Sequence, residues 1–285
     1  MGADLDDQVV DRAFDLAREC AQGAGRLFRE GFYGSKSVQS KSSSIDLVTE
    51  YDKACEDFIL DRIKAVFPES VLVAEESDSG TGEYPSFDSG MVWFIDPIDG
   101  TNNFVHGVPW TCISIGCSIN GTPVVGVVYN PIMNEEFTAR VGKGAFINGD
   151  RISVSNTETL ENSLLISEMG YARDVEDVNK IVSSLRQLLL HNVQSMRLFG
   201  SCALNMCSVA CGRADVYYEG LSSKQGPKPW DFGAARLIVT EAGGLVLDHD
   251  GSEHNMTSGR VLCASTKPLA DKVARILTPN LSRLP

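Results

Sequence analysis

At 285 residues, 43% hydrophobic and 22% charged, the chain has enough apolar material for a sizeable core, in one compact α/β unit or two packed halves. Its formal net charge of −13 excludes nucleic acid as a natural partner, because phosphate-backbone binding is carried by lysine and arginine. No basic amphipathic segment suits a membrane surface, and no window approaches a membrane span.

The N-terminus is acidic and has no apolar leader region. From Asp6 to about Glu30, residues Val10, Ala13, Phe14, Ala17, Ala21, Ala24, Leu27 and Phe28 recur at helical spacing and predict a long amphipathic helix. The polar run SKSVQSKSSS reads as a loop. Thr49 then caps a second helix, with Phe58, Ile59, Ile63 and Val66 as its inner stripe and Pro68 as its stop. Asp52 falls in the first turn, where complementing the helix dipole is explanation enough. SVLVAEES predicts a strand ending on Glu75 and Glu76, and the Gly-, Ser- and Asp-rich stretch from Asp78 to Gly90 a surface loop.

Residues 93–106, WFIDPIDGTNNFVH, concentrate the most chemistry. A strand from Met91 to Ile95 delivers Asp96 and Asp99, while Pro97 and Gly100 turn the chain out of the sheet. Both acids, the Ile98 carbonyl and the Thr101 hydroxyl can then converge on one small volume. Carboxylates at the end of an apolar strand are costly unless a positive charge meets them. The donors are all hard oxygens, a set that suits Mg²⁺ or Mn²⁺ rather than zinc. His106 reads as bracing a neighbouring turn.

Downstream, TCISIGCSI and PVVGVVYN form a hairpin around Asn120, Gly121 and Thr122, and EEFTARV is a further strand. The glycines of GKGAFINGDRIS match neither nucleotide-binding pattern and read as turns. Beyond about residue 155, strands SLLISEM, QSMRLF, ADVYYE, LVLDH and RVLCAS alternate with helices at Asp174–His191, Cys202–Gly212 and LADKVARIL, predicting a parallel or mixed sheet covered by helices. The natural division is 1–155, carrying most of the acids of interest, and 156–285. PWDFGAARLIVTEAGG puts Asp231 at the start of a helix, a position for a plain N-cap. The eight cysteines show no CxxC and read as buried free thiols, including Cys202, Cys207 and Cys211 packed along one helix. Free thiols point to a reducing compartment, the cytoplasm, with an organellar address left open. His191, His249 and His254 form no metal-spaced pair.

Together DLVTEYD, AEES, DPIDGTNNFVHG and WDFGAARLIVTEAGG, in this order and nearly end to end, resemble the inositol monophosphatase family. The resemblance implies a layered αβαβα sandwich, a homodimer, and Mg²⁺-dependent hydrolysis of a small phosphate monoester, with lithium competing at a metal position. It implies that Glu75, Asp96 and the Ile98 carbonyl hold one ion and that Asp96, Asp99 and Asp231 hold a second, with Glu75 sharing a third through water. Mn²⁺ is a possible substitute. Asp52 and Thr101 resemble the pair that orients the attacking water, with Glu75 beside them. Gly100 and Thr101 offer amides to the phosphate, and Gly200, Ser201, Cys202, Glu219 and Asp231 resemble the contacts to the sugar-alcohol hydroxyls. Two departures stand out: Ala74 precedes the first glutamate where glycine is commoner, and the loop from Glu219 to Trp230 is long and carries Lys224 and Lys228 in place of a histidine. The implied substrate is myo-inositol monophosphate. Fructose 1,6-bisphosphate, histidinol phosphate, a nucleotide 3′-phosphate and a non-catalytic metal- and polyol-binding role are the alternatives.

Overall fold

The structure, a computed structural model, describes residues 6–41, 46–171, 173–221 and 226–281. Helix α1 (Asp7–Tyr33) starts at Asp6, whose carboxylate accepts from the Gln8 amide at 2.9 Å, and buries Val10, Ala13, Ala17, Cys20, Ala21, Ala24 and Phe28 along one face. Strands β1 (Val38–Ser40) and β2 (Leu47–Thr49) pair as a two-stranded ribbon. The first of these lies inside the polar run read as a loop. All three of its residues are exposed, so there is no alternation of burial for the sequence to display.

Helix α2 (Glu50–Val66) follows its predicted Thr49 cap. Strand β3 (Val71–Ala74) then pairs in parallel with β4 (Met91–Asp99). β4 does not leave the sheet at Pro97. It continues to Asp99, with a register shift against its neighbour between Asp96 and Asp99. The short helix α3 (Thr101–His106) leads to β5 (Cys112–Ile119) and β6 (Thr122–Asn130). Asn120 and Gly121, both at positive φ, form their tight turn as expected. β7 (Glu135–Arg140), β8 (Gly144–Ile147) and β9 (Asp150–Ile152) complete a seven-stranded sheet in chain order, β3 to β9. The stretch read as turns is therefore a hairpin. Asn148 and Gly149 at φ 50° and 88° supply its two-residue turn, an Asn-Gly signal that the search for nucleotide-binding glycines obscured.

A second sheet has the order β11-β10-β12-β14-β13. It comprises β10 (Leu164–Ser167), β11 (Ser195–Arg197), β12 (Val216–Glu219), β13 (Leu245–Leu247) and β14 (Val261–Ala264). Its pairing is mixed, parallel at β10 and antiparallel at β14. Helices α4 (Val175–Leu190) and α8 (Lys267–Leu281) cover its outer face, while α5 (Cys202–Ala210), α6 (Pro229–Phe232) and α7 (Ala235–Glu241) lie between the sheets. The single helix expected after Trp230 is thus two, broken at Gly233–Ala234.

Three apolar cores mark the interfaces of an αβαβα stack. One joins α1 and α2 to the first sheet through Phe28, Ile59, Trp93 and Ile115. The second lies between the sheets around α5 and α7, with Phe137, Met206 and Tyr217. The third seats α4 and α8 on the second sheet. All eight cysteines are free and seven are buried, Cys211 being half-buried. No described helix is long and apolar enough to cross a membrane.

His249 is fully buried, with Nε2 2.8 Å from the Glu219 carbonyl and 3.2 Å from that of Val261. Burial holds its imidazole neutral, lowering its pKa from 6.5 to about 4. Protons therefore bind the unfolded chain first, so the stability tied to the neutral ring is complete above about pH 6.5 and is lost as pH falls toward 4. In urea unfolding, the stability advantage of the native protein over His249→Gln should shrink by up to about 3 kcal/mol across that window. A gap constant from pH 7 to 4 would show that the ring titrates alike in both states.

Candidate metal centre

Three carboxylates, Asp96, Asp99 and Asp231, meet at the end of β4 and the start of α6, with ligand oxygens all within 4.8 Å of one another. Asp96 and Asp99 are 1% and 5% exposed. Their desolvated charges repel. Burial, then the charges of Glu75, Asp99 and Asp231, push the Asp96 carboxyl well above the ordinary range. Burial, reinforced by Asp99 and Glu75, raises Asp231 to about 8. Asp99 rises only to about 6, because hydrogen bonds from Ser201 and the amides of Ala203 and Cys202 oppose its burial.

Those bonds show how Asp99 is held. The Ser201 hydroxyl donates to Oδ2 at 2.5 Å, the Ala203 amide to Oδ2 at 2.7 Å and the Cys202 amide to Oδ1 at 3.2 Å. The carboxylate thus sits on the N-terminus of α5, where amide dipoles favour negative charge. Ser201 gives its hydroxyl proton and Cys202 its amide proton to Asp99.

Asp96 accepts from the Ile98 amide at 3.0 Å, and the Ile98 carbonyl accepts from the Thr101 hydroxyl at 3.0 Å. Thr101 Oγ1 also lies 3.3 Å from Asp52 Oδ1. Its single proton serves one of these acceptors at a time. Asp52 does more than complement the α2 dipole: its other oxygen closes a capping box with the Thr49 amide at 2.8 Å and the Thr49 hydroxyl at 2.6 Å. Burial pushes its carboxyl up to about 6 against those two bonds.

Asp231 is the third residue of α6 and accepts from the Lys228 amide, so it is not the N-cap. Its placement depends on bare backbone. A Cβ on Gly116 of β5 would lie 2.5 Å from the Gly233 carbonyl carbon, and one on Gly126 of β6 would lie 2.4 Å from the Ala234 carbonyl oxygen. These two glycines face each other in the ladder, making a trench into which the α6–α7 junction drops.

Glu75 belongs to the site but not to the triad. Its carboxyl reaches Asp96, while Lys41 Nζ lies 2.9 Å from Glu75 and 2.5 Å from Glu76. Gly100, at φ 85°, packs beneath the carbonyls of Gly200 and Trp110. Glu219 is joined to the Tyr217 hydroxyl and is raised to about 8 by burial and then by the charge of Glu168. His106 is exposed at the end of α3 rather than bracing a turn, and Lys224 lies outside the described residues.

Sequence reasoning missed three residues here. Lys41 was hidden in the polar run. Glu56, fully buried on α2, accepts from the Glu76 amide at 2.7 Å and from the Ser77 hydroxyl, fixing the turn that presents Glu75; an acid three positions before Ile59 on an apolar face was the available signal. Glu168 accepts from the Phe199 amide at 2.9 Å, the Gly200 amide at 2.8 Å and Asn205 at 2.8 Å. It ends a strand just as Glu75 does, and the same rule would have found it.

The donor set fits a hard divalent cation. Oxygen ligands converge, their mutual repulsion calls for positive charge, and no imidazole or thiolate joins the group. Among the described residues this is the one cluster of three or more such side chains.

The chain is similar to known proteins in sequence and in fold. The sequence profile of the Inositol monophosphatase family matches residues 10–281. Inositol monophosphatase 3 of Solanum lycopersicum is 46% identical over 268 residues, covering 94% of this chain and 97% of that one. The solved inositol monophosphatase of Anabaena superposes with a TM-score of 0.80 at 35% identity, over 96% of this chain and 99% of its own. A solved structure described as inositol monophosphate-bound SaIMPase-II superposes at 0.77 with 27% identity, over 95% of each chain.

Substituting Gly126 by alanine forces its methyl into the Ala234 carbonyl and should cost about 2–3 kcal/mol in urea unfolding. A cost below about 0.5 kcal/mol would show that the junction yields freely.

Proposed function

The chain belongs to the inositol monophosphatase family of phosphoric monoester hydrolases, and from that premise we propose that it hydrolyses a myo-inositol monophosphate to myo-inositol and phosphate by direct attack of water. The observation that carries this reading is the buried carboxylate triad with the Thr101–Asp52 pair beside it. A neighbour of the same fold that binds inositol monophosphate supports the substrate class.

In this reading Glu75, Asp96 and the Ile98 carbonyl hold one Mg²⁺ and Asp96, Asp99 and Asp231 a second, with Glu75 contributing through water to a third and Mn²⁺ able to substitute. The ions, when bound, supply the positive charge that lets a dianionic ester enter an acidic cavity, and make water acidic enough to lose a proton near neutral pH. The chain's own residues supply orientation. Asp52, pinned by Thr49, fixes the Thr101 hydroxyl. Thr101 accepts a hydrogen bond from the attacking water and directs its own proton toward Asp52. The amides of Gly100 and Thr101 face the phosphate oxygens. As the new O–P bond forms on one side of phosphorus, the bond to the inositol oxygen breaks on the other, and that oxygen takes up a proton. Glu219 and the Gly200–Cys202 turn border the side where the polyol leaves. No covalent enzyme intermediate is needed, and electrostatics does most of the work.

The assembly is a homodimer in the same reading. Val175, Val178, Val182 and Leu189 form an exposed apolar stripe on α4, the kind of surface that a second copy covers. Eight free thiols fit the reducing cytoplasm.

A phosphate-release panel tests the substrate. Inositol 1-phosphate should be turned over with the highest kcat/KM, above inositol 4-phosphate, fructose 1,6-bisphosphate, histidinol phosphate and 3′-phosphoadenosine 5′-phosphate. A higher value for any of the last three would reassign it. Replacing Asp96 by asparagine should reduce Mg²⁺-dependent turnover at least ~100-fold while Tm in EDTA is equal or higher, because one member of a repelling buried cluster has gone. If Tm and activity fell together, the residue would be structural.

A further inference from the structure

The turn between β11 and α5 is tied to the start of α3 by a closed ring of hydrogen bonds. The ring begins at Glu168, the residue that follows β10, which lies outside the carboxylate triad. Its Oε1 accepts from the Phe199 amide at 2.9 Å, the Gly200 amide at 2.8 Å and Asn205 Nδ2 at 2.8 Å. From Asn205 on α5 the ring passes to Trp110, whose indole Nε1 donates to Asn205 Oδ1 at 3.0 Å. Asn103 on α3 closes it: Nδ2 donates to the Trp110 carbonyl at 2.8 Å and to the Phe199 carbonyl at 2.6 Å. The rings of Trp110 and Phe199 pack together, with centroids 4.7 Å apart.

Two parts of the metal centre hang from this ring. On one side Gly200 is followed at once by Ser201, Cys202 and Ala203, the donors that hold Asp99. On the other, Asn103 is the third residue of α3, the helix that opens with Gly100 as its cap and Thr101 as its first residue. The two sides touch directly. A Cβ on Gly200 would lie 2.9 Å from Asn103 Nδ2, and one on Gly100 would lie 3.0 Å from the Gly200 carbonyl oxygen. Gly200 is at φ 92°, a left-handed conformation that glycine adopts without penalty, and its amide and the one before it aim at a single acceptor. A carboxylate oxygen suits that demand, since it accepts several donors at once and its charge makes each bond about twice as strong as a neutral one. Burial pushes the Glu168 carboxyl up, and the same three donors oppose it.

We propose that Glu168 is a positioning residue of the metal centre: through Asn205, Trp110 and Asn103 it locks the start of α5, which seats Asp99, to the Gly100–Thr101 turn, which faces the phosphate. Cation and phosphate then meet one preset geometry instead of two segments that settle separately. The inference rests on the metal-dependent phosphatase reading above, and names residues that act on that site without touching ion or ester.

Two binding measurements on the full chain test it without turnover. Mn²⁺ binding is followed by loss of the free-ion electron paramagnetic resonance signal, and inorganic phosphate binding by the rise in Tm at saturating Mg²⁺. Glu168→Leu removes acceptor and charge together, whereas Glu168→Gln keeps an acceptor oxygen. The leucine variant should bind both Mn²⁺ and phosphate at least ~10-fold more weakly, since a displacement of about 1 Å in an oriented group can cost about 100-fold. Glutamine should restore each to within about threefold of the native value, a rescue that a loss of packing alone would not show. Should Glu168→Leu fail to fold, Asn103→Ala opens the ring from the opposite side, leaves Glu168 in place, and should weaken both ligands together. Native affinities in the folded variants, or a loss of one ligand with the other unchanged, would overturn the inference and leave the phosphatase reading standing. A native chain that bound neither Mn²⁺ nor phosphate would overturn both.

Discussion

Mutual repulsion among acids drawn into a low-dielectric pocket is the constraint around which the rest of this structure is arranged. Asp96, Asp99 and Asp231 come from two distant parts of the chain and meet within 4.8 Å. Left alone, Asp96 and Asp231 hold protons far above the usual carboxylate range. A fold that tolerates this must fasten each group from outside the cluster. Asp99 is fastened by the amides at the start of α5, Asp231 by a backbone turn at Lys228, and Asp96 by the Ile98 amide. A buried cluster of this kind is a place where a metal ion could sit.

A second shell of acids extends the same logic. Glu56 is buried and Glu168 half-buried; both accept hydrogen bonds from backbone amides and hold the turns that present Glu75 and Gly200. Carboxylates that accept amide protons serve here as loop anchors, while others nearby are left to face cations. The difference lies in the supply of donors: an acid surrounded by N–H groups is satisfied, and one surrounded by other acids is not.

Much of this was legible in the sequence, for physical reasons that differ by element. Helix α1 and its buried face followed from apolar spacing, α2 from Thr49, and the β5–β6 hairpin from Asn120-Gly121. The acids stood out because carboxylates at the ends of apolar strands need an explanation. Other features left no local trace. Strand β1 is wholly exposed, so its residues show no pattern. The break between α6 and α7 fits against glycines of another element, and within PWDFGAARLIVTEAGG only Gly233 announces it. Ser201 and Cys202 read as polyol contacts through the family resemblance alone. That their protons are committed to Asp99 depends on a pairing across about a hundred residues, which only the folded chain reveals.

The trench made by Gly116 and Gly126 locates Asp231 from the C-terminal side, by main chain resting on main chain. From the other side, the Lys228 amide holds its carboxylate. Two residues that have no side chains thereby set the place of an acid about a hundred residues further along the chain.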